Sequence, residues 1–383
     1  MKILYHHRVG SKDGQAVHIE EIVAALRALG HEVVVVGPAT TERAAFGADA
    51  GFSATLKKHL PRAVYELLEL AYSVPAFWRL WRAWRRLRPD VLYERYNLYF
   101  PAGSWLHWLT GVPMLLEVNA PLVHERSRFG GLGNPRFAAW MEGVQWRSAD
   151  GVLPVTQVLA GFVREAGVPN ARIHVIQNGV GEEFLSSTAD GSVIRNRFGL
   201  GDRIVLGFTG FVREWHGLDR VIDFVAENGA RHNLHLLIVG DGPAIPALRR
   251  QSAERRVADR VTFAGLVARH DIIDYITAFD VALQPHVVAY ASPLKLIEYM
   301  ALGRAIVAPA TPNIREILSD SEAVLFEPSD PAGLPEAIAR LSTDAPLRAR
   351  LGAAVKDAVA RQRLTWRGNS ERIVALAETL RRK

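Results

Sequence analysis

Residues 204–240 read IVLGFTGFVREWHGLDRVIDFVAENGARHNLHLLIVG, and this stretch decides the fold. Two short apolar runs, 204–209 and 235–239, flank an amphipathic segment at 218–229. Short strands that alternate with amphipathic helices are typical of βαβ units in parallel sheets. The alternation continues through VTFAGLV at 261–267 and VALQPH at 281–286 into a helix that starts near Pro293. The second half of the chain therefore predicts a doubly wound α/β domain.

The first half of the chain has the same alternation, with apolar runs at 3–5, 32–36, 90–93, 114–118 and 151–155. We expect a first domain at residues 1–185 and a second domain at residues 186–365, which begins with the polar linker 186–192. A last helix in residues 366–383 is predicted to pack back on the first domain. The fold class is thus α/β, with two facing Rossmann-like doubly wound domains and a ligand cleft between them.

Composition narrows the class of protein and the kinds of site. The 383 residues carry a net charge of +6 and include no cysteine, which excludes disulfides, thiolate metal sites and cysteine nucleophiles. The positive charge favours anionic partners such as a nucleotide, a phospholipid surface or nucleic acid. The chain has neither a signal-peptide pattern nor an apolar run long enough to span a bilayer, so we expect a cytoplasmic protein.

Residues 77–88, FWRLWRAWRRLR, form a basic helical pattern rich in tryptophan. One face carries Phe77, Leu80, Trp81, Trp84 and Leu87, and arginines fill the remainder of the surface. Such a helix can lie on an anionic membrane, which would make the protein peripheral on the inner face of the cytoplasmic membrane. Alternatively, its tryptophans pack on the domain core while the arginine stems cover apolar surface.

Polar loops follow several strands of the second half, at 210–217, 240–243, 265–267 and 290–295. Carboxyl ends of parallel strands gather at one sheet edge, and glycines there let the backbone approach a ligand closely. Lys295 lies in the first turn of a helix with Ser292 as its predicted N-cap, where the helix dipole favours an anion. With Arg213 and His216 nearby, these loops predict a pocket for a diphosphate and its nucleoside.

The first half offers polar groups at the ends of its own strands. Lys12 and Gly14 follow the first strand, and Glu117 and Asn119 end a later one. Ordinary turns whose charged side chains lie in solvent would explain these residues equally well. The sequence contains neither DxD nor HExxH, so we expect no metal and no other cofactor, with leaving-group charge met by Arg, Lys and the helix end.

Six motifs follow one another along the chain: DGQAVHIEEIVAALRALGHEVVVV, VIQNGV, GFTGFVREWHGLDRVI, LLIVGDGP, VTFAGLV and SPLKLIEYMALGRAIVAP. With these motifs in this order, the chain resembles the retaining glycosyltransferases of family 4, which have the GT-B fold. The resemblance implies transfer of a sugar from a nucleotide-diphosphate-sugar to an acceptor hydroxyl, in the biosynthesis of a polysaccharide, a glycolipid or another glycoconjugate.

The resemblance also implies roles for individual residues. Glu298 would bind the donor ribose, Leu266 or Val267 the base, and Gly14 the phosphates. The catalytic candidates are Arg213, Lys295 and Asn119. The donor-binding candidates are Glu298, Tyr290, Ser292, Pro293, Leu294, Gly210, His216, Leu266, Val267 and Gly14. The acceptor-binding candidates are Lys12, His18, Glu117 and His124.

Three positions depart from the family pattern. Tyr290 stands where the family has an acid eight residues before Glu298, His216 replaces a lysine, and Asn119 replaces a histidine. We hypothesise that Lys295 supplies the charge missing at His216. Asn119 is compatible with a front-face displacement, in which the leaving phosphate takes the acceptor proton.

Two other functions remain open. A nucleotide-sugar epimerase of GT-B shape would convert the donor without any acceptor. A basic nucleic-acid-binding protein would explain the Arg/Trp helix but not the loops of the second half.

Overall fold

The computed structural model describes residues 1–10, 14–38, 60–129 and 131–382, which form two compact units. Unit 1 contains Met1–Asn178, Tyr290–Ser292 and Trp366–Lys383, and unit 2 contains Gly179–Ala289 and Pro293–Thr365. The first crossing between the units comes at Asn178, where sequence analysis had placed it at residue 185. The segment Tyr290–Ser292, assigned from the sequence to the second domain, lies in unit 1.

Eleven strands are present in the described residues. They are β1 (Lys2–His6), β2 (Glu32–Val36), β3 (Val91–Arg95), β4 (Met114–Val118), β5 (Gly151–Pro154), β6 (Ile204–Thr209), β7 (Leu234–Val239), β8 (Val261–Gly265), β9 (Val281–Leu283), β10 (Ala305–Pro309) and β11 (Val324–Phe326).

The α-helices of the described residues fall mainly between these strands. They are α1 (Gly14–Ala28), α2 (Arg62–Ala71), α3 (Ser73–Leu87), α4 (Ala102–Thr110), α5 (Leu122–Phe129), α6 (Pro135–Ser148), α7 (Gln157–Glu165), α8 (Glu182–Leu185), α9 (Ser192–Arg197), α10 (Leu218–Asn228), α11 (Ile245–Glu254), α12 (Ile272–Thr277), α13 (Leu294–Ala301), α14 (Pro312–Arg315), α15 (Gly333–Thr343), α16 (Ala345–Gln362) and α17 (Trp366–Arg381).

Both sheets are parallel, which confirms two Rossmann-like α/β domains. Unit 1 has the strand order β2-β1-β3-β4-β5, and unit 2 has the order β11-β10-β9-β6-β7-β8. Each order reverses once along the sheet, between β1 and β3 in unit 1 and between β6 and β9 in unit 2. Ligands of open α/β sheets bind beyond the carboxyl ends of strands at such reversals. In unit 1 those ends are His6 and Arg95, and in unit 2 they are Thr209 and Leu283.

Helix α3 packs its predicted apolar stripe on the core of unit 1. Leu80 and Leu87 are buried there, and Phe77, Trp81 and Trp84 pack against the same cluster. The outward face instead carries Trp78, which is 55% exposed, and the exposed arginines Arg79, Arg82, Arg85, Arg86 and Arg88. Packing on the core is therefore the role of the stripe, and any contact with a membrane belongs to the opposite face. None of the helices in the described ranges has the length and apolarity needed to cross a membrane.

Helix α13 begins one residue later than the sequence pattern predicts. Ser292 is not its N-cap, because Pro293 occupies that position and makes no side-chain capping bond. The Ser292 hydroxyl oxygen accepts a hydrogen bond from the Asn178 N–H at 3.1 Å instead. The predicted end is confirmed, since Gly303 follows the C-cap with a φ of 63° that favours glycine.

Candidate active site

Three strand ends of unit 2 are joined through their glycines. The Gly210 N–H donates to the Val239 carbonyl at 2.9 Å, and the Gly240 N–H donates to the Gly265 carbonyl at 2.8 Å. Gly210 and Gly240 both have a φ of 126°, and a Cβ at Gly240 would lie 2.0 Å from the Gly210 oxygen. Gly240 must be glycine, because its φ is positive and a Cβ there would collide with the Gly210 oxygen. Since these glycines carry no side chain, the backbone at the ends of β6, β7 and β8 is open to a ligand.

Lys295 brings a positive charge to this sheet edge. Its Nζ lies 3.7 Å from the centre of the Phe208 ring, and a Cβ added at Gly210 would lie 3.0 Å from the same nitrogen. Burial lowers the pKa of Lys295 from 10.5 to about 7, and the charge of Glu298 opposes that shift. The Lys295 side chain therefore has little water around it beside Phe208 and Gly210, and a bound anion would favour its charged form.

Glu298 lies one turn further along α13 and is only 6% exposed. Its Oε1 accepts a hydrogen bond from Arg269 Nη1 at 2.5 Å. Arg269 opens a short 3₁₀ turn, Arg269–Asp271, immediately beyond the predicted base-binding loop, and its guanidinium carbon lies 5.0 Å from the centre of the Phe184 ring. The carboxylate thus stands between two cationic side chains, Lys295 on its own helix and Arg269 from the loop after β8.

The loop 210–217 presents Arg213 to solvent and buries His216. The Arg213 N–H donates to His216 Nδ1 at 3.0 Å, and the imidazole packs edge-on against Phe208 with ring centres 5.0 Å apart. Burial, with the charge of Lys295, lowers the pKa of His216 from 6.5 to about 2. His216 is therefore a neutral side chain that holds the loop, whereas the exposed Arg213 guanidinium, 5.0 Å from the centre of the Phe211 ring, carries the charge.

The remaining donor candidates of unit 2 lie at the ends of the same elements. Leu266 is 53% exposed in the loop after β8, and Val267 beside it is half-buried. Pro293 and Leu294 form the start of α13, one turn before Glu298. The structure thus brings these residues to the edge of the unit 2 sheet that also carries Gly210 and Lys295.

Tyr290 and Ser292 lie with unit 1, which corrects their expected place in the second domain. The Tyr290 carbonyl oxygen accepts a hydrogen bond from the Thr156 hydroxyl at 3.0 Å. Burial and the neighbouring Glu125 carboxylate raise the pKa of Tyr290 above its usual range. Short-range sequence pattern could not reveal this placement, because the partners are more than a hundred residues away along the chain.

Glu117 is the centre of a buried polar cluster at the end of β4 in unit 1. Its Oε2 accepts hydrogen bonds from Tyr93 at 2.7 Å and from His18 Nε2 at 3.0 Å. Its Oε1 accepts from Arg95 and, at 2.5 Å, from Asn119 Nδ2. The carboxylate is only 2% exposed and is enclosed by these four hydrogen-bond donors. A direct contact between Glu117 and the substrate that accepts the sugar does not fit this arrangement.

The charges around Glu117 determine its ionisation. Burial alone would raise its pKa, but His18 and Arg95, with hydrogen bonds from His18 and Tyr93, hold the pKa of Glu117 well below its usual range. An ionised carboxylate accepts and does not donate, which fixes the orientation of the Asn119 amide. Asn119 itself is half-buried, so part of its surface is accessible.

The other candidates of unit 1 are scattered. Gly14 is exposed at the start of α1, and His124 is exposed on α5 with its ring centre 5.4 Å from that of Phe162. Lys12 lies outside the described residues. His18 is buried, and its ring meets Trp366 of α17 at 4.8 Å between centres.

Two polar contacts close to the site were not predicted from the sequence. Arg269 pairs with Glu298, and His6 Nδ1 lies 2.6 Å from Glu94 Oε2 at the reversal point of the unit 1 sheet. A signal for the second pair was present, because His6 and Glu94 end two apolar runs that the pattern predicted as strands. Arg269 gave no such signal, because it lies in the polar run ARHD.

The positions of the His, Asp and Glu side chains determine whether the protein could bind a metal ion. Within residues 1–10, 14–38, 60–129 and 131–382, no three His, Asp or Glu side chains are grouped so that they could hold a metal ion. The expectation of a reaction without metal stays a prediction.

Comparisons with known proteins match both halves of the chain. Residues 13–179 match the model of the glycosyl transferase 4-like domain, and residues 203–344 match that of glycosyl transferases group 1. The alpha-D-kanosaminyltransferase of Streptomyces kanamyceticus is 25% identical over 63% of this chain and 64% of its own length. The GDP-mannose-dependent alpha-mannosyltransferase of Mycobacterium tuberculosis is 25% identical over 86% of this chain and 84% of its own.

A solved structure has the same fold. HepE of Anabaena in complex with UDP superposes with a TM-score of 0.77 at 19% identity, over 99% of this chain and 100% of that one. At this identity the likeness concerns the fold. The first of the curated relatives is matched over slightly less than two thirds of its length, so its substrates are not carried over with the fold.

Proposed function

Because this chain belongs to the group 1 glycosyltransferases of the GT-B fold, we propose that it moves a sugar from a nucleotide-diphosphate-sugar to an acceptor hydroxyl. The observation that carries the proposal is the cationic, glycine-walled edge of the unit 2 sheet. There Lys295 lies beside Gly210 at the start of α13, with Glu298 one turn on. Free backbone amides and an ammonium together favour a diphosphate.

The donor would be held by groups of unit 2 that differ in chemistry. Lys295, Arg213 and the amides of Leu294 and Lys295 would meet the diphosphate. Glu298 would accept hydrogen bonds from the ribose hydroxyls, and the main chain at Leu266 or Val267 would contact the base. Each assignment rests on the resemblance and on the position of the residue at the carboxyl ends of the strands.

We propose a retaining reaction of the family 4 type, by front-face displacement and without metal. The acceptor oxygen bonds to the anomeric carbon on the face from which the diphosphate departs. The bond between that carbon and the phosphate oxygen breaks, its electron pair stays on the phosphate, and the acceptor proton passes to the same phosphate oxygen. Arg213 and Lys295 stabilise the negative charge that develops there.

The contribution of unit 1 is the acceptor side of the reaction. Asn119 follows β4 where the family pattern has a histidine, and Glu117 orients its amide instead of touching the acceptor substrate. His18 supports the same carboxylate. Lys12, His124 and Gly14 stay candidates for contact with acceptor or phosphate on the strength of their sequence positions.

The outward face of α3 supports a further proposal, peripheral binding to an anionic membrane. Trp78 is 55% exposed, and on the neighbouring α4 Trp108 and Leu109 are 56% and 65% exposed. Among the described residues, no carboxylate pairs with Arg82, Arg85 or Arg86. Exposed tryptophan beside arginines without acidic partners is the pattern of an interfacial helix. A lipid-linked acceptor would agree with it.

A thermal-shift panel of nucleotides and nucleotide sugars tests the function. A ligand at 100 times its dissociation constant stabilises by about 2.7 kcal/mol, which such a melt detects. We expect stabilisation by one nucleoside diphosphate and by its sugar conjugates. No shift with any of them, together with salt-dependent binding to nucleic acid, would favour the nucleic-acid alternative.

The epimerase alternative requires a second measurement. The donor identified by the panel is incubated with the protein alone, and the products are separated by chromatography and mass spectrometry. A glycosyltransferase leaves the sugar unchanged apart from slow hydrolysis. Conversion to a second nucleotide sugar of equal mass would establish an epimerase.

A further inference from the structure

The contact between Arg269 and Glu298 differs from the ordinary surface ion pairs of unit 2. The Glu298 side chain is 8% exposed, and its partner Arg269 is 39% exposed. In the pair of Arg255 with Asp223, the side chains are 54% and 38% exposed. Exposed pairs contribute little, whereas a buried carboxylate needs a partner to stay ionised inside the protein.

The geometry gives Arg269 a place between two parts of the donor site. It comes from the turn that follows Leu266 and Val267, and it reaches across to α13 at Glu298. The buried Phe184 ring lies 5.0 Å from its guanidinium carbon. A planar guanidinium beside an aromatic ring has few alternative orientations.

The two oxygens of Glu298 are in different situations. Oε1 accepts from Arg269, whereas no donor within the part of the chain that the structure describes is hydrogen-bonded to Oε2. A carboxylate held by one oxygen still has acceptor capacity on the other.

We propose that Arg269 is a positioning residue, which fixes the Glu298 carboxylate so that its second oxygen accepts the ribose hydroxyls of the donor. This inference rests on the proposed function, in which Glu298 is the ribose anchor. Arg269 then links the loop that contacts the base to the helix that contacts ribose and diphosphate. Its loss would weaken recognition of ribose without removing any group that binds the diphosphate.

The test compares UDP with 2′,3′-dideoxy-UDP by calorimetry, or the guanosine pair if GDP binds more tightly. Hydrogen bonds to a charged group contribute about 1.5–3 kcal/mol, so the wild-type protein should bind the ribonucleotide about 10–150-fold more tightly. In Arg269→Gln we expect this ratio to fall below about threefold, with affinity for the dideoxy compound nearly unchanged. Arg269→Lys, which keeps the charge, should retain most of the ratio.

Arg255→Gln is the matched control, because it removes an arginine from another carboxylate pair of the same unit. Its ribose ratio should equal that of the wild type, and both glutamine variants should melt as the wild type does. A full ribose ratio in Arg269→Gln would overturn this inference alone. A wild-type protein that ignores the ribose hydroxyls would overturn it together with the assignment of Glu298 as the ribose anchor. Failure of the wild type to bind any nucleoside diphosphate would overturn the proposed function and the inference with it.

Discussion

The ammonium of Lys295 lies 3.7 Å from the centre of the buried Phe208 ring, whose other neighbour is the neutral imidazole of His216. Both side chains stand at the end of β6, but only Lys295 can carry a positive charge there near neutral pH. A phosphate bound at Gly210 would therefore meet its counter-charge at Lys295, and His216 would serve the backbone of the loop.

From this relationship we expect Lys295→Ala to impair donor use far more than His216→Ala. Loss of a charge-assisted hydrogen bond costs about 1.5–3 kcal/mol, which lowers kcat/KM about 10–150-fold. His216→Ala removes an acceptor for the Arg213 N–H and should cost less than tenfold. Steady-state kinetics with the donor as varied substrate measures both. Equal, mild losses in the two variants would refute the assignment of the charge to Lys295.

The burial of Lys295 also predicts a dependence of stability on pH. Its pKa is about 7 in the folded protein against 10.5 for an ordinary lysine. Between these values the unfolded chain binds a proton that the folded chain does not, so the free energy of unfolding contributed by this group rises with pH. Lys295→Met should therefore stabilise the protein at pH 6, with the advantage shrinking towards pH 10. Thermal melts across this range measure it, and a constant difference between variant and wild type would contradict the prediction.

Binding of the diphosphate should reverse that shift. An anion beside Lys295 favours its charged form, so at pH 8 the complex takes up a proton when the nucleoside diphosphate binds. Calorimetry in buffers of different ionisation enthalpy measures the uptake, which we expect to be a large fraction of one proton per site. In Lys295→Met the buffer dependence should disappear, and its persistence would assign the proton to another group.

The strands and the glycine loops were predictable because their signals are local. The strands Glu32–Val36 and Met114–Val118 have the bounds that their apolar runs predict. Gly210 and Gly240 directly follow strands and Gly265 ends one, and parallel topology then brings them together. Helix α3 illustrates the limit, since its pattern predicted which tryptophans share the apolar face but left open whether that face contacts the core or a membrane.

Other features depend on partners that no local pattern reveals. Ser292 and Tyr290 resemble a helix start and a loop of the second domain, yet Asn178 and Thr156 bind them within unit 1. Arg269 contacts Glu298, 29 residues further along the chain, only in the folded unit 2. The local sequence around each of these residues does not predict contacts with residues so far away along the chain.

The arginines on the outward face of α3 lead to a prediction about membranes. Replacement of Arg82, Arg85 and Arg86 by Glu should abolish co-sedimentation with liposomes of phosphatidylcholine and phosphatidylglycerol, because each basic residue contributes about 1 kcal/mol near an anionic surface. Trp78→Ser should weaken binding without changing charge. The control replaces Arg250, Arg255 and Arg256 by Glu, which changes the net charge equally on exposed residues of unit 2. Retained binding in the α3 variant, or equal loss in the control, would count against this face.

The buried carboxylate of Glu117 accepts hydrogen bonds from His18, Tyr93, Arg95 and Asn119. Glu117→Gln puts an NH₂ group among donors and leaves Arg95 without its counter-charge, so we expect a loss of about 3–5 kcal/mol in unfolding free energy at pH 7. The ionised Glu117 stabilises the fold above its unfolded pKa of about 4.5, and this contribution declines as pH falls below that value. The difference between variant and wild type should therefore shrink from pH 5 to pH 3.

Asn119→Ala distinguishes a role of this polar cluster in stability from a role in sugar transfer. It removes one of four donors from Glu117, so the unfolding free energy should change by about 1 kcal/mol or less. If Glu117 acts by orienting the Asn119 amide, this variant should nevertheless lose transfer activity while its affinity for the nucleoside diphosphate is kept. Denaturant melts, calorimetry and a transfer assay on one preparation distinguish these effects. Wild-type transfer by Asn119→Ala would remove Asn119 from the reaction centre and leave Glu117 as a residue of the unit 1 core.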